Sequence, residues 1–176
     1  LDAPINQEGQ SAAQILSLQE EMSRRIAALP GVSAVGVGLS VPLRPNQILL
    51  EIKAEGRPQQ PGVPIPMAEY RTATPEYFDA AGMKLLTGRG FAATDRVGSG
   101  PVAILNQALA ERLFGKDDPI GRRVAWTGQV LSAMGMKEEA WRSVIGVVSN
   151  TRDNGPHAPP PLVMFQPLAQ YDIAYF

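Results

Sequence analysis

The chain has 176 residues, which suits one domain or two small lobes and is long enough to bury roughly two thirds of its unfolded surface without covalent staples. Sixteen basic against seventeen acidic residues leave a formal net charge of −1, so the sequence has no electrostatic footprint for nucleic acid or an anionic membrane surface. The absence of cysteine rules out disulfides, thiolate metal sites and a cysteine nucleophile, and no apolar run approaches the ~20 residues that span a bilayer.

Residues 1–10 (LDAPINQEGQ) read as a flexible lead-in. Ser11 and Gln14 make a capping-box pattern, and Ile15, Leu18, Met22, Ile26 and Leu29 recur at helical spacing up to Pro30-Gly31. This predicts a helix over 11–29 that buries one apolar stripe, with Arg24 and Arg25 suited to its C-terminal dipole. From Val32 to Val41 the period changes to two, predicting a strand whose Gly36, Gly38 and Ser40 face leaves room for a close neighbour such as the preceding helix. A second strand is predicted over 48–55, half apolar and half charged. Gly56 to Pro66 holds four prolines and two glycines, so it cannot pair as a central strand and reads as a linker or exposed loop.

The chain then runs extended over 68–73 into Thr74-Pro75-Glu76, where Thr74 has the character of a helix cap and Pro75 that of a first helical position, with Gly82 as the exit. Met83 to Phe91 reads as an extended piece ending in the turn Gly88-Arg89-Gly90, followed by a loop over 94–100. Val102 to Leu105 is a strand, Asn106 a cap, and Leu109 and Leu113 continue a helix that stops at Gly115. Asp118-Pro119-Ile120-Gly121 has the side-chain logic of a type I turn, and leads into a strand over 122–127. Residues 128–140 show no period and read as a hairpin tip or insertion. Trp141 to Ser149 is almost continuously apolar and therefore a central strand. Asn150 to Pro161 is a loop, 162–166 a strand, and 172–176 the start of another. The beginning without Met and the end inside a strand-like run are those of an excised piece.

Chemistry is hard to assemble from these residues. His157 is the single histidine and lies in a Gly/Pro-rich loop, so neither a catalytic triad nor a two-histidine metal site can form within one chain. Gly115-Lys116 is followed by Asp117 where a phosphate-binding loop needs Ser or Thr. Asp117-Asp118 is interrupted by Pro119 and Ile120, which denies a calcium loop its alternating oxygen ligands. Seventeen acids leave carboxylate-pair hydrolysis open, because distances are invisible in a sequence.

Three runs together carry a resemblance: YRTATPEYFDAAGMKLLTGRGF (70–91), VAILNQALAERLFGKDDPIGRRV (102–124) and WRSVIGVVSNTRDNGPHAPPPLVMFQPLAQ (141–170). In order and content they resemble the MacB-like periplasmic core domain of FtsX-like permeases of bacterial ABC transporters. Residues 128–140 look longer than that family's hairpin, and the chain stops where the family continues with a second β-α-β unit. The resemblance implies an α+β, two-lobed fold. Residues 11–66 would form the N-terminal part of a porter-like α/β lobe with its Pro-rich linker, 67–161 an inserted mixed lobe, and 162–176 return strands.

The implied function is non-catalytic, with no cofactor and no metal. On the periplasmic side of the inner membrane, the domain would couple ATP-driven motion of membrane helices to export of a substrate or to a partner. Implied partners are the permease's own membrane helices, a cytoplasmic ATPase subunit or domain, a periplasmic adaptor or cargo, and a second permease copy in a dimer. Loops around Arg89, Arg152 and His157 are the expected partner contacts, since loops on a rigid scaffold carry recognition. An extracytoplasmic small-molecule sensor or binding domain is the alternative.

Overall fold

The computed structural model describes residues 12–38, 48–58, 62–130, 140–151, 155 and 158–170. The lead-in, the insertion at 131–139 and the strand expected at 172–176 lie outside them. Helices are α1 (Ala12–Ala27), α2 (Tyr77–Ala80) and α3 (Gln107–Phe114); strands are β1 (Leu49–Ala54), β2 (Met67–Ala73), β3 (Leu85–Gly88), β4 (Val102–Asn106), β5 (Arg123–Thr127), β6 (Arg142–Val148) and β7 (Val163–Pro167). The fold is α+β.

The strands form one mixed sheet that closes on itself. Its order is β3-β6-β4-β7-β2-β1-β5, and β5 pairs again with β6, so six strands make a ring with β3 appended. β4 runs parallel to β6 and β2 parallel to β7, while the other pairs are antiparallel. The central place expected for 141–149 is occupied by β6, which changes neighbour along its length. Arg142 and Ser143 face β5, and Gly146 to Val148 face β3, while β4 flanks the other edge. A register shift between Ala103 and Ile104 of β4 adds one residue to β6 there. That extra residue lets Val144 and Val147, three apart, both join the inner cluster.

The ring is filled, not hollow. Leu50 and Ile52 of β1, Tyr70 of β2, Leu105 of β4, Trp126 of β5 and Met164 of β7 form one core, into which α3 inserts Leu109, Leu113 and Phe114. α3 thus seats against β1, β4, β6 and β7. A second cluster lies on the outer side, where α2 brings Tyr77 and Phe78 onto Phe165, Ile104 and Val148. Phe78 packs edge-on against Phe165 with centroids 5.2 Å apart, a geometry aromatic rings favour.

Asn106 joins the two ends of this arrangement. It is fully buried, and its Oδ1 accepts from Leu109 N, capping α3 as expected, and also from Val163 N at the start of β7. Its Nδ2 donates to Pro161 O at 2.7 Å and Asn150 Oδ1 at 2.9 Å, and Asn150 in turn accepts from Ala108 N. Every polar atom of the side chain is used, which is how a buried amide stabilises instead of costing.

Four local expectations are corrected. Residues 32–37 form no strand; Gly38 makes one isolated bridge to Ala73, and 39–41 lie outside the described residues. The glycines there admit Tyr77 instead of the preceding helix, since a Cβ on Gly36 would collide with the Tyr77 backbone. Thr74 does not cap α2: its hydroxyl accepts from Val37 N, and the helix starts at Tyr77 with no side-chain cap at Glu76. The reverse turn closes one residue later than expected, with Arg122 N donating to Pro119 O and Gly121 at a φ of 77° in its third position. Asp118 instead braces the turn by accepting from Ile120 N. Finally, the α1 stripe is not buried: Leu18 is 51 % and Leu29 57 % exposed.

Candidate functional site

Arg89 follows β3, and its N–H donates to Ile145 O of β6. Its guanidinium forks onto Asp95, Nη1 to Oδ2 at 2.7 Å and Nη2 to Oδ1 at 2.9 Å. Asp95 also accepts from Ala92 N. The Arg89 side chain is half-exposed, whereas Asp95 is buried. The hydrogen bond from Arg89 holds the Asp95 carboxyl below the usual range, against an upward push from burial, and Asp95 raises Arg89 in return. Such a planar, bidentate pair pins the 89–95 loop to itself. Arg152 and His157 lie outside the described residues.

A second ion pair is hidden in the fold. Glu69 and Arg71 alternate on the outer face of β2, both almost fully buried, with Arg71 Nε donating to Glu69 Oε2 at 2.9 Å and its guanidinium 6.0 Å from the Phe165 ring. The signal for it was present in the sequence as opposite charges two apart in a strand, which share a face.

Two surface grooves went unseen in the sequence. One, of about 1020 Å³, opens between β1, the 62–66 segment and the end of α3. Ile52, Ala54 and Leu113 line its core side and Val63, Pro64 and Ile65 its outer side. Residues 62–66 of the Pro-rich stretch, expected as a linker or exposed loop, form one wall of this groove, with Ile52 N donating to Pro66 O. Lys53, Arg57 and Arg112 also line this groove, and no acidic side chain among the described residues does. Lys53 Nζ lies 5.6 Å from the Trp141 ring, and Arg123 stacks on the same ring at 6.0 Å. The other groove, about 630 Å³ between α1 and the ring, has the opposite character, with Glu20, Glu76, Asp79 and Asp95 against Arg24.

The structure is thus a ring of strands with a packed interior and open grooves on its surface. The chain belongs to the MacB-like periplasmic core domain family, whose model matches residues 5–175. Over 64 residues it is 31 % identical to the macrolide export ATP-binding/permease protein MacB of Neisseria gonorrhoeae, covering 36 % of this chain and 10 % of that protein. The same figures hold for the MacB protein of Neisseria meningitidis. The chain thus spans about a tenth of the curated relatives it matches.

Among solved structures, the periplasmic region of MacB from Actinobacillus actinomycetemcomitans superposes with a TM-score of 0.54 at 17 % identity, over 85 % of this chain and 55 % of that one. The extracellular domain of the noncanonic ABC-type transporter YknZ from Gram-positive bacteria gives 0.51 at 20 % identity, over 85 % and 62 %. Both likenesses are of fold. Among the described residues no helix is long and apolar enough to cross a membrane.

Proposed function

We propose that this domain is the extracytoplasmic part of a MacB-type ABC transporter permease and works without catalysis. It transmits the motion of ATP-driven membrane helices to cargo or to a partner protein. The observation that carries the reading is the family match over almost the whole chain, joined to a closed and filled ring. A sheet without free edges around most of its circumference deforms little, which suits a body that passes on displacement.

In the parent protein the domain stands on the periplasmic side of the inner membrane, with the ATPase on the cytoplasmic side and a second permease copy completing a dimer. We assign 11–66 and 162–176 to a porter-like lobe and 67–161 to an inserted lobe; β1 and β7 then carry the hydrogen bonds between them. Loops around Arg89, Arg152 and His157 are the proposed contacts for an adaptor or cargo. The name of the Neisseria relatives makes macrolides one cargo class, beside peptides and lipoproteins.

The test is made in the full permease reconstituted with its ATPase. Asn106→Ala should loosen the ring and abolish export while ATP hydrolysis continues, and Arg152→Ala should weaken export with the ring intact. Full export in both variants would overturn the mechanical reading.

A further inference from the structure

Arg142 is the charged side chain that strand alternation turns toward the inside of the ring. It stands opposite Val124 of β5 and two residues before Val144, both members of the inner core. Trp141, the residue before it, meets Arg123 on the outer face, as the alternation requires. Glu51 and Glu69, the acidic residues of the six ring strands, alternate onto the outer face too. Among the described residues no carboxylate pairs with Arg142, and its Nη1 donates to Ala140 O at 2.7 Å. Burial pushes the guanidinium below its usual range, with Tyr70 acting in the opposite direction, yet an arginine keeps its proton. A half-buried positive charge thus faces the interior, and the strands around it supply no counter-charge.

Further donors gather at the same end of the ring, where β6 begins and β2, β5 and β7 finish. Trp126 of β5, whose ring lies 5.7 Å from that of Tyr70, has its Nε1 buried without a hydrogen-bond partner. Thr72 of β2 and Gln166 of β7 stand directly opposite each other, two residues beyond Tyr70 and Met164 of the inner core. Thr72 Oγ1 and Gln166 Nε2 are buried and unpartnered in the same way. All three residues are at most 5 % exposed. Indole and amide nitrogens only donate, and a buried donor costs free energy until an acceptor meets it.

We propose that the inner face at this end of the ring binds one small carboxylate, of formate or acetate size. Its oxygens accept from the Nε–Nη2 edge of Arg142, the Trp126 indole and the Gln166 amide, with the Thr72 hydroxyl as a fourth donor. One guanidinium matches one negative charge, which favours a carboxylate over a doubly charged phosphate or sulfate. This goes beyond the mechanical reading and is independent of it, because binding is read on the chain itself without transport.

The chain has two tryptophans, so the indole N–H resonances of Trp126 and Trp141 report the inside and the outside of the ring separately. The isotope-labelled chain is titrated with sodium acetate at constant ionic strength and neutral pH, in parallel with acetamide, chloride and sulfate. Acetate should shift the Trp126 resonance saturably, leave that of Trp141 in place and raise the melting temperature. Acetamide keeps the shape without the charge and should do neither. Arg142→Met should weaken acetate about tenfold, and Gln166→Met, which keeps the charge, should weaken it less. Melting temperatures near that of the parent show that both variants fold; Arg142→Lys, which keeps the charge without the planar edge, should also weaken acetate and serves if Arg142→Met does not fold. No saturable shift of Trp126 with acetate, an equal response to acetamide, chloride or sulfate, or Arg142 variants that bind as tightly as the parent would each overturn the proposal.

Discussion

The Asn106 junction and helix α1 are opposite outcomes of similar sequence signals. Both were read from local pattern, a cap followed by apolar residues at helical spacing. At the junction the pattern met partners: Asn106 collects donors and acceptors from α3, β7, Asn150 and Pro161, and the leucines of α3 fill the ring. In α1 the same amphipathic spacing leaves Leu18, Met22, Ile26 and Leu29 exposed, with Glu21 holding Arg24 and Arg25 on the surface. Amphipathicity shows that a helix could bury a stripe; burial itself is decided by whether another element arrives to cover it.

The largest effect should come from breaking the junction. Asn106→Ala leaves the buried Val163 N and the half-buried Pro161 O without their partners and removes the α3 cap, which should cost on the order of 3–5 kcal/mol in urea denaturation. A loss under about 1 kcal/mol would mean that water or a shifted backbone replaces the side chain.

Asp95→Asn is intermediate, about 1–2 kcal/mol at neutral pH, discounted because Arg89 is half-exposed. The sign of its pH dependence is set by the depressed carboxyl. The stabilisation is present above the unfolded value of about 3.9 and is lost as pH falls below it through the folded value. The parent should therefore lose more stability than Asp95→Asn between pH 5 and pH 2, each limit being about one to two units from the unfolded value, and converging curves in acid denaturation would confirm it.

The smallest effect is expected in α1, where Leu18→Gln should change stability by less than about 0.5 kcal/mol, since the residue is half-exposed already. A cost above about 2 kcal/mol would show that the stripe is covered in solution and would erase the contrast with α3.

Much of the fold was legible residue by residue. The Asn106 cap, the Gly115 stop and the continuous apolar run of β6 all fall where local rules place them. The misreading of 32–38 as a strand has a physical cause: alternating valine and glycine satisfies a strand pattern, but the glycines serve the approach of Tyr77. For the expected site the legibility was lower. Arg89 was noticed as a turn cation, but its bidentate hold on Asp95 depends on a loop fold that charge spacing does not reveal. The basic groove was invisible because Arg112 is far in the chain from Lys53 and Arg57 and shares a cavity with them only through the packing of α3 beside β1.

By itself the sequence determined the identity of the elements, the α3 cap and stop, the exclusion of cysteine, two-histidine and phosphate-loop chemistry, and a family resemblance carried by three ordered runs. The tertiary structure alone decided that β5 returns to β6 and closes the ring, that Asn106 serves four partners instead of one, and that the proline stretch walls a groove. Periodicity and capping act over one or two turns of chain and are written in adjacent residues. Closure, burial and cavity charge depend on which distant segments meet, and that is settled by the summed packing of the whole core.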